Sequence, residues 1–297
     1  MAENTVIDGK DDVAALKQLK KKPLIAWPTV LLQLSSQVTI ISAWYLCLFN
    51  SMPLWVGCSI NIIAYYFLFT PAHDAMHRSI SSKGWINDLT LFSLMFTYVP
   101  GNTGKFLGLM HMQHHRFAND KLDPDHQLVA NPFNIFFLWF FWDFRYLFIY
   151  FKNQQHYPKY NLVRMLTEII VGFSIVGGIA FFFPVEILFL WLIPTRIMVW
   201  LVCLVFMYLP HTPHDVAHKD DPYRATSMRF GWEWLLTPLM MYQNYHLIHH
   251  LYPTIPFYRY KKAWLARKTF HEDNNPAIVD AFRLTPKPSK QMLETGK

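Results

Sequence analysis

Histidine is the residue type on which any chemistry in this chain must rest. It recurs in clusters: His73-Asp74-Ala75-Met76-His77, His111-Met112-Gln113-His114-His115, His211, His214 to His218, and His246-Leu247-Ile248-His249-His250. Residues three and four apart share one face of a helix, so HxxxH presents two imidazoles side by side and HxxHH presents three. Eight histidines in three such boxes, with more nearby, exceed what one tetrahedral zinc needs. They fit a pair of ions held almost wholly by nitrogen. The isolated His126, His156 and His271 read instead as hydrogen-bonded structural residues.

The elements that must position these boxes are membrane spans. A chain of 297 residues that is 53% hydrophobic and only 16% charged is too apolar for an ordinary soluble domain of its size. Residues 24–49 and 53–72 carry no charged side chain, and each is long enough to cross a bilayer. The three-residue link between them forces a hairpin. A second pair follows at about 165–183 and 185–209, joined at Pro184. Shorter apolar pieces at 89–100, 133–142 and 235–242 read as re-entrant or interfacial. Arg196, next to Pro194 and Thr195 inside the fourth run, has two readings: it faces a bundle interior, or the helix breaks at Pro194.

A hairpin returns the chain to the side it left, so His73 and His211, each directly after a hairpin, emerge on one face. Lys17, Lys20, Lys21 and Lys22 precede the first span, and Arg259, Lys261, Lys262, Arg267 and Lys268 follow the last box. The positive-inside bias therefore predicts a cytoplasmic metal site and cytoplasmic termini. The net charge of +7 fits this topology and anionic headgroups; no nucleic-acid motif is present. Cys47, Cys58 and Cys203 fall inside spans without CxxC spacing and read as apolar fillers. With no apolar signal segment before it, the first span serves as its own insertion signal. The expected organisation is a polar tail at 1–22, one membrane domain at 23–271, and a tail at 272–297, with both tails loosely ordered.

An all-histidine pair of sites leaves the charge of the ions uncompensated and suits iron. An iron pair can turn dioxygen against an unactivated C–H bond, with a hydrocarbon chain fed from the bilayer as substrate. Carboxylate-bridged di-iron bundles need Glu-x-x-His repeats, which are missing, as are HExxH and GxSxG. Asp74, Asp123 and Asp125 are either solvated acids or acceptors that orient ligand imidazoles, and Asn244 is placed to do the same for His246.

In order and spacing, the three boxes resemble those of the membrane fatty acid desaturase superfamily, over roughly 60–260. His73 to His77 is similar to its first box, His111 to His115 to its second. His246 to His250, followed by Tyr252-Pro253 and Ile255-Pro256, is similar to its last. The resemblance implies an all-α membrane protein with four long transmembrane helices in two hairpins under a cytosolic histidine-rich cap. It also implies two non-haem irons with O2 as co-substrate. His73, His77, His111, His114, His115, His246, His249 and His250 are then the ligands, joined by His211 as a ninth, with His214 next in line. The HDAMH form, the loop Lys121 to His126 and Tyr208-Leu209-Pro210-His211 resemble the carotenoid ketolase and hydroxylase branch; the general plan suits acyl desaturases equally. The leading expectation is a fatty acyl desaturase, with carotenoid oxidation as its alternative. A haem- or zinc-handling membrane protein is the non-enzyme alternative. No haem or iron–sulfur module is visible, so reducing equivalents come from an external ferredoxin or cytochrome b5 type donor. The basic stretch Arg259 to Lys268 would dock that donor or anchor to lipid headgroups.

Overall fold

A computed structural model describes residues 11–98 and 104–288. A short helix α1 (Val13–Leu19) precedes the first span α2 (Trp27–Phe49), whose Pro28 suits a first helical turn. The chain reverses through Asn50 and Ser51, the latter in the left-handed region, and Pro53 caps the second span α3 (Leu54–Met76). Helix α4 (Gly84–Tyr98), α5 (Gly104–Phe117) and the short α6 (His126–Val129) follow. The tight turns Pro132–Phe136 and Leu138–Phe141 lead into α7 (Trp142–Asn153). The second hairpin is α8 (Leu162–Phe182) and α9 (Pro184–His211). Among the described residues, four helices are therefore long and apolar enough to cross a membrane, close to the expected runs.

The second span is the centre of the bundle: 56% of its most apolar window is buried, against 6% for α8. Gly57 permits this, since a Cβ there would meet Cys47 Sγ at 2.5 Å and Leu190 Cδ2 at 2.6 Å. Fully buried Asn61 donates its Nδ2 to the Leu190 carbonyl at 2.7 Å. Pro194, four residues on, has no N–H to offer that oxygen. Gly104 gives α5 a similarly close approach to Leu91 of α4. Outward, α8 shows bare apolar side chains such as Val163, Ile170, Phe181 and Phe182. That is the surface a lipid-facing helix needs.

The fourth span does not break at Pro194. It continues through two π-helical stretches, Leu188–Leu192 and Cys203–Tyr208, to His211. Arg196 faces inward and is paired with Asp143. The 132–153 segment lies along this span, held by Trp200 Nε1 donating to the Ile135 carbonyl at 2.9 Å and by Arg196. It exposes Phe136, Phe137, Phe144 and Phe148, as an interfacial piece does.

After α9 come strand β1 (Ser227–Phe230), α10 (Glu233–Leu239), α11 (His246–Leu251), α12 (Tyr260–Ala266), α13 (Lys268–Asp273) and strand β2 (Ala277–Asp280). The strands pair in parallel, Ser227 opposite Ala277 and Phe230 opposite Asp280. Neither flank is the loose tail the sequence suggested, within the described residues. Leu16 is buried where α1 packs on α12, Asp12 N–H donates to the Ala266 carbonyl at 2.7 Å, and β2 buries Ala277 and Val279. Elements of seven and four residues carry too little periodic signal to stand out in a sequence.

Candidate metal centre

The histidines of the boxes come from the ends of elements, except His111, which lies midway along its helix. His73 lies in the last turn of α3, and His77 caps it. Helix α5 brings His111, His114 and His115, His211 closes α9, and α11 carries His246, His249 and His250. One nitrogen from each of His73, His77, His111 and His249 lies within 4.8 Å of the others, and the same holds for His114, His211, His246 and His250. His115 groups with His249 and His250 between them. All nine are buried except the half-buried His111 and His115.

The Nε2 atoms point at one another: His77 and His111 at 2.7 Å, His115 and His249 at 2.9 Å, His211 and His246 at 3.0 Å, His246 and His250 at 3.1 Å, His114 and His250 at 3.3 Å. Nitrogens that share an ion at about 2 Å each stand about 3 Å apart. The far sides of several rings are already engaged. Gln243 Oε1 lies 2.5 Å from His246 Nδ1, Tyr260 Oη 2.9 Å from His249 Nδ1, and Asp123 Oδ1 2.9 Å from His114 Nδ1. An Nδ1–H donated to Gln243 or Asp123 leaves a lone pair on Nε2, directed into the cluster. Both nitrogens of His73 and the Nδ1 of His211 and His250 are buried without a hydrogen-bond partner. The facing Nε2 lone pairs and a nitrogen of unpartnered His73 are what a pair of divalent cations would satisfy.

Burial, reinforced by repulsion between neighbouring imidazoles, holds His77, His111, His115, His246, His249 and His250 well below the usual histidine range. These are neutral, metal-ready rings. At His114 burial pulls the same way, but the carboxylates of Asp123 and Asp125 outweigh it and bring the ring to about 9.

Asp123 and Asp125 sit where ligand-orienting acids would, with Asp125 Oδ2 3.4 Å from His114 Nδ1 and Tyr146 donating its hydroxyl to Asp125. Asp74 does not touch an imidazole nitrogen. It accepts from Thr29 Oγ1 at 2.9 Å and from the Phe257 N–H at 3.3 Å, tying α2 and the segment before α12 to α3. Asn244 also differs from expectation: its Nδ2 donates to Thr237 Oγ1 at 3.1 Å, and neighbouring Gln243 takes the role at His246. The i, i+3 spacing of Gln243 and His246 was the available signal. Tyr260 and Tyr146 left no comparable sign. His214 stands outside both groups. Its ring stacks 6.3 Å from His211 and lies 6.0 Å from His126, with both nitrogens buried and unpartnered.

The sequence model of the family described as fatty acid desaturase matches residues 22–280. A beta-carotene ketolase from Paracoccus sp. (strain N81106 / MBIC 01143) is 28% identical over 194 residues, 65% of this chain and 71% of the ketolase. A second, from Paracoccus sp. (strain PC1), is 26% identical over the same shares. An sn-1 oleoyl-lipid 12-desaturase from Picosynechococcus sp. (strain ATCC 27264 / PCC 7002 / PR-6) is 34% identical over 110 residues, 35% of this chain and 28% of the desaturase.

Proposed function

The chain belongs to the fatty acid desaturase family, and from that premise we propose that its histidine centre holds two non-haem irons and oxidises unactivated C–H bonds of a lipid hydrocarbon chain with O2. The observation that carries this reading is the convergence of nine imidazoles from four elements, eight in two four-nitrogen groups and His115 between them, at the ends of apolar spans. His73, His77, His111 and His249 would hold one ion, and His114, His211, His246 and His250 the other, with His115 within reach of both. When bound, the iron pair supplies the redox chemistry that turns dioxygen against a C–H bond.

The chain's own residues supply position and dryness. Phe69 and Phe206 meet edge to face at 4.9 Å, with Phe206 5.7 Å from His73. This apolar wall keeps water from the His73 side and offers methylenes a surface to pack on. A groove of about 520 Å³ is lined by Leu31 and Leu32 of α2, Phe67 of α3, and Met241, Tyr242 and Phe257. A hydrocarbon chain enters there without leaving an apolar medium. Methylenes along it differ little in chemistry, so regioselectivity comes from where the chain is held.

Reduction of O2 to two waters takes four electrons. Desaturation draws two from the substrate's C–H bonds, and an external donor of ferredoxin or cytochrome b5 type supplies the other two. Exposed Lys17, Lys20, Lys21 and Lys22 lie in or just after α1, which packs on α12, and α12 carries exposed Lys261 and Lys262 next to Tyr260 and its contact to His249. An acidic donor fits that charge. This face, the metal centre and the N-terminal segment lie on the cytoplasmic side.

The first reading of the substrate is a fatty acyl chain. Carotenoid oxidation is the second, favoured by the longer alignments to the two ketolases. Lipid and carotenoid profiling of cells expressing the chain, against His246→Ala, tests both. New double bonds or hydroxyls in acyl chains support the first, keto- or hydroxycarotenoids the second, and profiles identical to the variant's remove both.

A further inference from the structure

We infer that the two histidine groups are unequal, Asp123 and Asp125 making the group of His114, His211, His246 and His250 the tighter metal site. The inference rests on the two-metal reading above. Asp123 and Asp125 are 1% and 3% exposed, and among the described residues neither has a lysine or arginine partner. Buried carboxylates are costly unless opposed by positive charge. The counter-charge available here is His114 and whatever His114 coordinates.

The carboxylates are built in, not incidental. Asp123 Oδ2 accepts the Asn119 N–H at 2.8 Å, Asp123 Oδ1 accepts the Asp125 N–H at 2.9 Å, and Tyr146 donates to Asp125. With both acids fixed, Asp123 takes the Nδ1–H of His114 and makes its Nε2 a stronger donor. In a buried site the added negative charge also opposes the charge of a divalent ion at short range and low screening. Among the described residues, the hydrogen bond to the far side of a ring in the other group comes from Tyr260, a neutral hydroxyl, at His249.

Titration of the metal-free, full-length protein in detergent with Co(II), followed by its visible absorption, tests this. Wild type should fill in two steps. His211→Ala should lose the tight step, and His77→Ala the weak one. Asp123→Asn should weaken the tight step by about 10–100-fold and leave the other unchanged. If Asp123→Asn does not fold, Asp125→Asn reads the same step with a smaller loss, its carboxylate lying further from His114. Equal affinities in wild type, a tight step that survives His211→Ala, or an aspartate variant that shifts neither step overturns the inference while leaving two metals in place. Failure to bind Co(II) in either group removes the two-metal reading itself.

Discussion

Arg196 and Asp143 form a two-point ion pair across the bundle, Nη1 to Oδ1 at 3.0 Å and Nη2 to Oδ2 at 2.9 Å, with side chains 12% and 2% exposed. A charge inside a span is tolerated when it is paired and turned inward. Asp143→Leu strands the guanidinium and should cost about 3–5 kcal/mol of stability, because a buried charge loses its partner. The double variant Asp143→Leu/Arg196→Leu should recover most of that loss in thermal denaturation. A single variant as stable as wild type would show that the pair does not secure the 132–153 segment.

His211 and His214 stand three residues apart, yet only His211 reaches the cluster. Alanine at His73, His77, His111, His114, His115, His211, His246, His249 or His250 should reduce turnover to background while the protein still inserts, because the spans insert by being apolar. His214→Ala should keep most of its activity. Full activity in two or more of the nine variants, measured by product formation in membranes, would sink the assignment.

Much of this architecture was legible in the sequence, and the misses share a cause. Charge-free runs of bilayer length mark the spans, because every backbone polar group in lipid must be satisfied within the helix. HxxxH and HxxHH place imidazoles by helical period alone. Partnerships between distant segments have no such period. Asp74 meets the backbone of Phe257 across 183 residues, and Arg196 meets Asp143 across 53. The choice of Gln243 over Asn244, and of His211 over His214, depends on where a helix ends and which way one ring turns. Strand β2 is four residues long and shows its role only once β1 is beside it.

Acid should destabilise the metal-free protein. His77, His111, His115, His246, His249 and His250 are held well below the usual range when folded, but in the unfolded chain they protonate near pH 6.5. Below about that pH the unfolded state binds more protons, so stability falls as pH falls. Asp125, pushed up to about 6 by burial, opposes this with one proton between about 4 and 6, and the imidazoles outnumber it. His114, at about 9, adds stability that is complete below about 6.5 and is lost on going up to 9. The thermal midpoint of the metal-free protein should therefore drop on acidification from neutral pH. A midpoint that rises instead would contradict the neutral-ring description.

Sidedness follows from the two hairpins. In a background without the three native cysteines, Lys83→Cys after the first hairpin and Lys219→Cys after the second should be labelled by a membrane-impermeant thiol reagent from the cytoplasmic side. Ser51→Cys, at the tip of the first hairpin, should be labelled from the other side alone. Opposite labelling of Lys83→Cys and Lys219→Cys would remove the shared face on which the boxes meet.

Metal content bears most directly on the central claim, that nine converging histidines form a two-iron centre. Protein purified from iron-replete membranes and analysed by elemental spectrometry should carry close to two irons per chain. It should show no haem absorbance, and His211→Ala should lose about half of the iron. Haem absorbance, zinc in place of iron, or unchanged iron in His211→Ala would contradict the account.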